Sequence, residues 1–228
     1  MMAMDTERLI ERLTETADPV RRLAVPWVRT AIWIAIAAPY VALVVALMVP
    51  RGDLQAKLSD FRFLLEQVAA LSTGIAAAAA AFASVVPGYD RRVALLPLAP
   101  LCVWLLSLGE GCIQALLQGG AGSDLASDFA CVPAIALVGA LPALAMALML
   151  RKGAPLRPHI SAMLGGLAAA GLGNFGLRFF HQQDASMMVL VWQVGTVFLL
   201  TMLAGWAGRL ILEWRPLLKN ARRNLRLG

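Results

Sequence analysis

The chain has 228 residues, 60% of them hydrophobic and only 15% charged, with a net charge of +6 and a mean hydropathy of +0.72. A water-soluble domain of this size exposes far more charge, so the composition excludes that class and points to a polytopic membrane protein. The opening, MMAMDTERLIERL, is charged and lacks the short apolar core of a cleavable signal peptide.

Asp5 or Thr6 stands where it caps a short helix, with Leu9, Ile10 and Leu13 on one face. Glu7, Arg8, Glu11, Arg12 and Glu15 cover the remainder. Pro19 stops or breaks that helix, and Val20, Arg21, Arg22 and Leu23 lead to Pro26 and Trp27 at the membrane surface. Alone, so short a helix is marginal in water. Its apolar stripe suits either lipid or the helix-binding groove of a partner.

Six apolar runs follow, each about the ~20 residues that a helix needs to cross a bilayer. They are 27–49, 61–86, 93–113, 129–150, 159–180 and 187–208. None alternates polar and apolar residues with period two, which disfavours an outer-membrane barrel. The expected fold is all-α: a polytopic bundle of six transmembrane helices. Prolines 39, 97, 100, 133 and 142 fall inside or near the ends of runs, where a bundle recovers the freed carbonyls.

Basic residues set the expected orientation. With the N-terminus in the cytoplasm, sixteen of the twenty Lys and Arg lie on the cytoplasmic side, and only Arg51, Lys57, Arg62 and Arg178 on the other. Both termini are then inside. Residues 1–26 form a cytoplasmic segment, 27–208 the membrane bundle, and 209–228 a basic cytoplasmic tail. The tail, EWRPLLKNARRNLRLG, is attracted to anionic headgroups.

Gly165, Ala169 and Gly173 repeat at four-residue spacing and invite a close helix neighbour, with the alanines of 76–81 as its partner surface. No internal repeat marks a transporter of inverted halves. The centres of the runs are almost free of ionisable groups, whereas an ion path keeps them near the midplane. Glu66 and Arg178 sit near outer ends. Asn174, Gln193, Ser72 and Thr73, deeper in, are expected to bond between helices. No metal motif, nucleophile elbow or phosphate-cradling loop is present, so neither catalysis nor a cofactor is expected.

Three cysteines remain. Cys102 lies deep in the third run and reads as a small apolar residue. Cys112 and Cys131 bracket a loop without Lys or Arg, GEGCIQALLQGGAGSDLASDFAC, on the extracytoplasmic side. A structural disulfide, a redox-switched disulfide, and a thiolate site for a soft metal or thiol-reactive oxyanion all remain open. Glu110, His181 and Asp184 are expected on the same face and would make a mixed site.

Several stretches together resemble a known family: PVRRLAVPW, FRFLLE, VPGYDRR, LPLAPL, the Gly111–Cys112 pair with Cys131, GAPLRP and HQQDASMMVLVW. In this order they resemble the NrsF-like anti-sigma factors of proteobacteria, six-span inner-membrane proteins that restrain an extracytoplasmic-function sigma factor. The resemblance implies that residues 5–25 hold the sigma factor, through Leu9, Ile10, Leu13, Val20, Arg21, Arg22 and Leu23. It also implies that Cys112 and Cys131 are needed for release. The partners are then a sigma factor and the bilayer, without direct contact to nucleic acid. The His-x-x-x-Cys-x-x-Cys zinc domain of many other anti-sigma factors is missing, so the binding segment must be short and order on contact. Two rivals stand beside this reading: a small membrane transporter, and a thiol-redox membrane protein, which would usually carry a Cys-x-x-Cys pair.

Overall fold

A computed structural model of the chain describes residues 2–15, 23–117, 131–153, 157–180 and 195–212. Among them every regular element is helical. In order these are α1 (Met2–Glu15), α2 (Pro26–Leu47), the short α3 (Leu54–Leu58), α4 (Phe61–Ser84), a 3-10 turn (Arg91–Leu95), α5 (Leu98–Leu117), α6 (Cys131–Arg151), α7 (Pro158–Leu177) and α8 (Gly195–Leu212).

Helix boundaries follow local chemistry. Pro26 and Pro158 open α2 and α7, where a missing N–H costs nothing and the ring presets φ. Asp60 caps α4 by accepting from the Arg62 backbone N–H at 2.9 Å. At α1 the expected cap is displaced. The helix already begins at Met2, so Asp5 lies within its first turn, where a carboxylate favours the helix dipole instead of ending the helix.

Four stretches, Pro26–Leu47, Phe61–Ser84, Arg91–Glu110 and Pro158–Leu177, are long and apolar enough to cross a membrane. They coincide with the first, second, third and fifth expected runs. The helices α6 and α8 correspond to the fourth and sixth, with 21 and 18 residues. Large apolar side chains point outward on all sides, among them Leu47, Leu106 and Trp206, each over 70% exposed. A belt of this extent suits lipid better than water.

Contacts between helices fix their directions. In α2 against α6, Trp33 Nε1 donates to the Pro142 carbonyl at 2.9 Å and the Tyr40 hydroxyl to that of Leu137 at 2.7 Å. Arg29 also reaches the Met149 carbonyl. These pairs run in opposite order along the two chains, so the helices are antiparallel. Gln67 and Phe175, with Ser84 and Ser161, do the same for α4 and α7. Arg62 with Ser107 joins α4 to the later part of α5, and His159 with Gly205 joins α7 to α8. The six long helices therefore alternate in direction. The start of α2 and the end of α8 share one end of the bundle, the near end. The end of α2, the end of α5 and the start of α6 share the other, the far end.

The core is small-residue packing. Ala77 to Ala81 are at most 1% exposed, and all but Ala79 pack in one cluster with Trp33, Phe82, Val138, Met146 and Ala168. The expected alanine surface is thus used, but the crossing point differs from the expected ladder. A Cβ on Gly171 would stand 3.1 Å from Gly74 Cα and from the Ala70 carbonyl, and one on Gly74 would stand 3.2 Å from the Ala168 carbonyl. Gly165 faces Met146 and Leu150 of α6 instead. Four-residue spacing identifies a small face without saying which neighbour it meets.

Because backbone lines both sides of the crossing, Gly171→Val should lower stability in detergent by about 1–3 kcal/mol through overpacking. Gly109, with nothing within 4 Å of its would-be Cβ, is the control. Gly109→Ala should be neutral or slightly stabilising, and a thermal melt of the three chains reads the contrast.

Candidate functional site

The far end carries a group of charges that spacing alone does not assemble. Glu66 is 6% exposed. Its Oε2 accepts from Arg178 Nη2 at 2.6 Å and its Oε1 from Arg62 Nε at 3.2 Å. Arg62 also donates to the Ser107 carbonyl of α5 at 2.9 Å. One carboxylate thus links α4, α5 and α7. Beside it the Phe63 ring lies between two guanidiniums, those of Arg178 at 5.3 Å and Arg51 at 6.0 Å from its centroid. Arg51 clamps Asp53 with two bonds, of 2.6 and 2.8 Å, and its backbone N–H reaches the Phe179 carbonyl. The connection after α2 is thereby tied to the end of α7.

These residues anchor the bundle rather than transfer protons, because both carboxylates are held by guanidiniums. The Arg51 side chain pulls the Asp53 carboxyl down to about 2 by direct hydrogen bonding. The four cations that orientation arguments put on the outer side include all three arginines of this group. The Arg62–Glu66 pair was legible from its i, i+4 spacing. The Glu66–Arg178 pair, 112 residues apart, left no local signal.

Deeper polar groups behave differently from expectation. Thr73 bonds back within α4 to the Ala69 carbonyl instead of between helices. Gln67, not singled out beforehand, makes the interhelical bond to Phe175 at 3.1 Å. Asn174 is buried, and its Oδ1 has no partner among the described residues. Gln193 lies outside the described residues.

Both cysteine positions belong to the far end. Cys112 follows Ser107 by five residues on α5, about 7.5 Å further along the axis. Cys131 is the first residue of α6. Their side chains, and the residues between the two helices, lie outside the described residues, as do His181 and Asp184. Glu110 is on an exposed face of α5. Among the described residues no three of His, Cys, Asp and Glu gather as a metal site. Cys102 is exposed on the outer surface of its helix.

The helix α1 is amphipathic, with Ile10 55% exposed, and at the near end Leu23 is 41% exposed. The side chains of Leu9 and Leu13, and Val20, Arg21 and Arg22 entirely, lie outside the described residues. Arg29 closes the bundle here, stacked 4.6 Å over the Phe82 ring and bonded to α6.

The described residues thus form an apolar helical bundle whose charged groups sit at its ends. Its family follows from comparison: the chain belongs to the NrsF family, negative regulator of sigma F, whose model matches residues 13–214. No curated protein and no solved structure matches it. Membership makes it a regulator with a sigma factor as partner.

Breaking the buried pair leaves a charge without its partner. Glu66→Leu or Arg178→Met should each cost roughly 3–5 kcal/mol, and the double variant should recover much of that loss, read by denaturation in detergent. The Asp53 pair has a definite pH sign. Its folded-state value lies below the ordinary 3.8, so its contribution is present above about pH 3.8 and is lost as pH falls through about 2. Asp53→Asn should lower the melting temperature at neutral pH, and the gap to the parent chain should close as pH falls towards 2.

Proposed function

We propose that this chain is a six-span inner-membrane anti-sigma factor with both termini in the cytoplasm. It holds an extracytoplasmic-function sigma factor through residues 5–25 and releases it on a signal at Cys112 and Cys131. The observation that carries the reading is the family match over residues 13–214. Two others support it. Sixteen of twenty basic residues fall on one side of a six-span arrangement. The alternation of the long helices also brings residues 23–26 to the opposite end of the bundle from both cysteine positions.

The signal would travel as a shift in packing. In this reading α6 carries Cys131 at its first residue and touches α2 at three levels, through Leu137, Pro142 and Met149. Moving α6 against α5 at the far end displaces contacts on α2, whose N-terminal extension holds the sigma factor. Release then requires two packings with different affinity for the partner. Pro142, inside α6, is a natural bending point, since its ring interrupts the backbone ladder.

Membranes should yield a co-purifying sigma factor with the full chain and none with a chain lacking residues 1–24, at equal membrane insertion. A chain lacking only residues 1–12, which precede the matched region, separates Leu9 and Ile10 from Val20 to Leu23. A sigma factor retained without residues 1–24 would sink the assignment of the binding segment. Cys112→Ser with Cys131→Ser should abolish stimulus-driven release while leaving sigma binding intact. Release that persists in that variant would remove the cysteines from the mechanism.

A further inference from the structure

Two of the stretches that carry the family resemblance, VPGYDRR and GAPLRP, have no part in sigma binding or cysteine sensing. The structure brings the first stretch together at the near end with Gly153, Arg157 and Pro158, the described residues of the second. In the first, Tyr89 N–H bonds the Val86 carbonyl at 3.3 Å and Gly88 has φ +83°. That is a type II turn, with Pro87 and Gly88 where its geometry demands them. In the second, a Cβ on Gly153 would stand 2.6 Å from Val85 Cγ2, so only glycine lets the end of α6 meet the end of α4.

The turn closes over a pocket of about 330 Å³ between α4, the 3-10 turn and the start of α7. Its floor is apolar: Ala80 and Ala83 from the buried part of α4, Ala94, and Ile160. Its rim is polar: Tyr89, Asp90, Arg91 and Arg157. Neither Arg91 nor Arg157 has an ion pair among the described residues. The Asp90 carboxylate is turned to the backbone, accepting from Arg92 N–H at 2.9 Å. Among the described residues the rim therefore offers two guanidiniums against one carboxylate, whose Oδ1 is bonded to backbone.

We propose that this pocket binds the headgroup of an anionic phospholipid. A ligand that fills it must carry negative charge for the arginines and methylenes for the alanine floor. The phosphodiester and glycerol of a phospholipid supply both, and its acyl chains then continue onto apolar surface. The volume is near the lower end of the roughly 300–1,000 Å³ of small-molecule sites. It holds a phosphodiester with its glycerol and leaves the acyl chains outside, where Leu95, Leu96 and Leu98 are exposed. Basic pockets between helices at the cytoplasmic face are a general means of binding such lipids. The inference rests on the proposed membrane topology, which puts this end on the cytoplasmic side.

The test is native mass spectrometry of the full chain in detergent, titrated with phosphatidylglycerol or phosphatidylcholine. The parent chain should retain phosphatidylglycerol and not phosphatidylcholine. Arg91→Gln with Arg157→Gln should weaken that binding about thirty-fold. Arg151→Gln with Lys152→Gln removes equal charge from the same end outside the pocket and should leave it unchanged. Should the pocket variant not fold, Arg157→Gln alone is read in its place. Equal loss from both double variants would reduce the effect to general surface charge and overturn the site. Displacement of the lipid by inorganic phosphate at matched concentration would assign the pocket to the free anion, again overturning it. Loss of the co-purifying sigma factor with lipid retained would give the pocket to the protein partner. Recovery of the chain from the soluble fraction would instead overturn the membrane reading, which the lipid titration does not measure.

Discussion

The close passage of α4 over α7 at Gly74 and Gly171 determines most of what surrounds it. The backbones pass so closely that a Cβ on Gly171 would stand 3.1 Å from Gly74 Cα, and the two helices are held near enough for short side chains to meet on either side of the crossing. Seven residues back from Gly74, Gln67 reaches the Phe175 carbonyl; one residue further, Glu66 reaches Arg178; ten residues forward, Ser84 meets Ser161. Were either glycine to carry a larger side chain, the helices would separate and these polar groups would lose their partners. Inside a bilayer no water replaces them. The alanines of α4 serve the same end, since a helix of large residues could not be buried on so many sides at once.

This distribution of forces bears on how the molecule can act. Apolar burial drives little association between helices already in lipid, so packing and hydrogen bonds must carry it. The bonds are concentrated at the two ends, with Glu66, Arg62 and Arg178 at one and Arg29 at the other. Among the described residues the middle depends on shape, with two further bonds, Trp33 on the Pro142 carbonyl and Tyr40 on that of Leu137. A bundle fixed at its ends and packed by small residues between them can shift by small sliding without breaking a strong contact midway. Interlocked large side chains would resist such movement. Helix sliding of that kind is a known form of switching.

The sequence was informative where physics is local and silent where it is not. Helix existence and approximate limits followed from apolar run length, and the structure sets the ends by local chemistry at Pro26, Asp60 and Pro158. Arg62 with Glu66 was readable for the same reason. The Gly165 ladder was seen but matched to the wrong neighbour, since spacing defines a face and only the bundle defines what that face meets. Thr73 was expected to bridge helices, yet its hydroxyl is satisfied by its own helix at i−4, an option open to any helical threonine. The meeting of Glu66 and Arg178 depended on antiparallel packing over more than a hundred residues.

The position of the shared stretches is itself informative about which parts of such a chain are constrained. A span can be built from many apolar sequences, provided small residues fall at the crossings. A turn that must change direction within four residues and still present charged groups has far fewer solutions. Val86 to Arg92 needs Gly for a positive φ, Asp90 to start the next helical turn, and arginines to face outward. At the other end, Phe61 to Glu66 needs an aromatic ring between two guanidiniums and an acid one turn after Arg62. Both stretches lie where apolar helix gives way to polar surroundings. There a side chain must satisfy lipid on one side and charge on the other, and substitution by residue type alone fails. These two stretches therefore lie at the ends of the bundle, where a signal enters and a partner is held in the proposed mechanism.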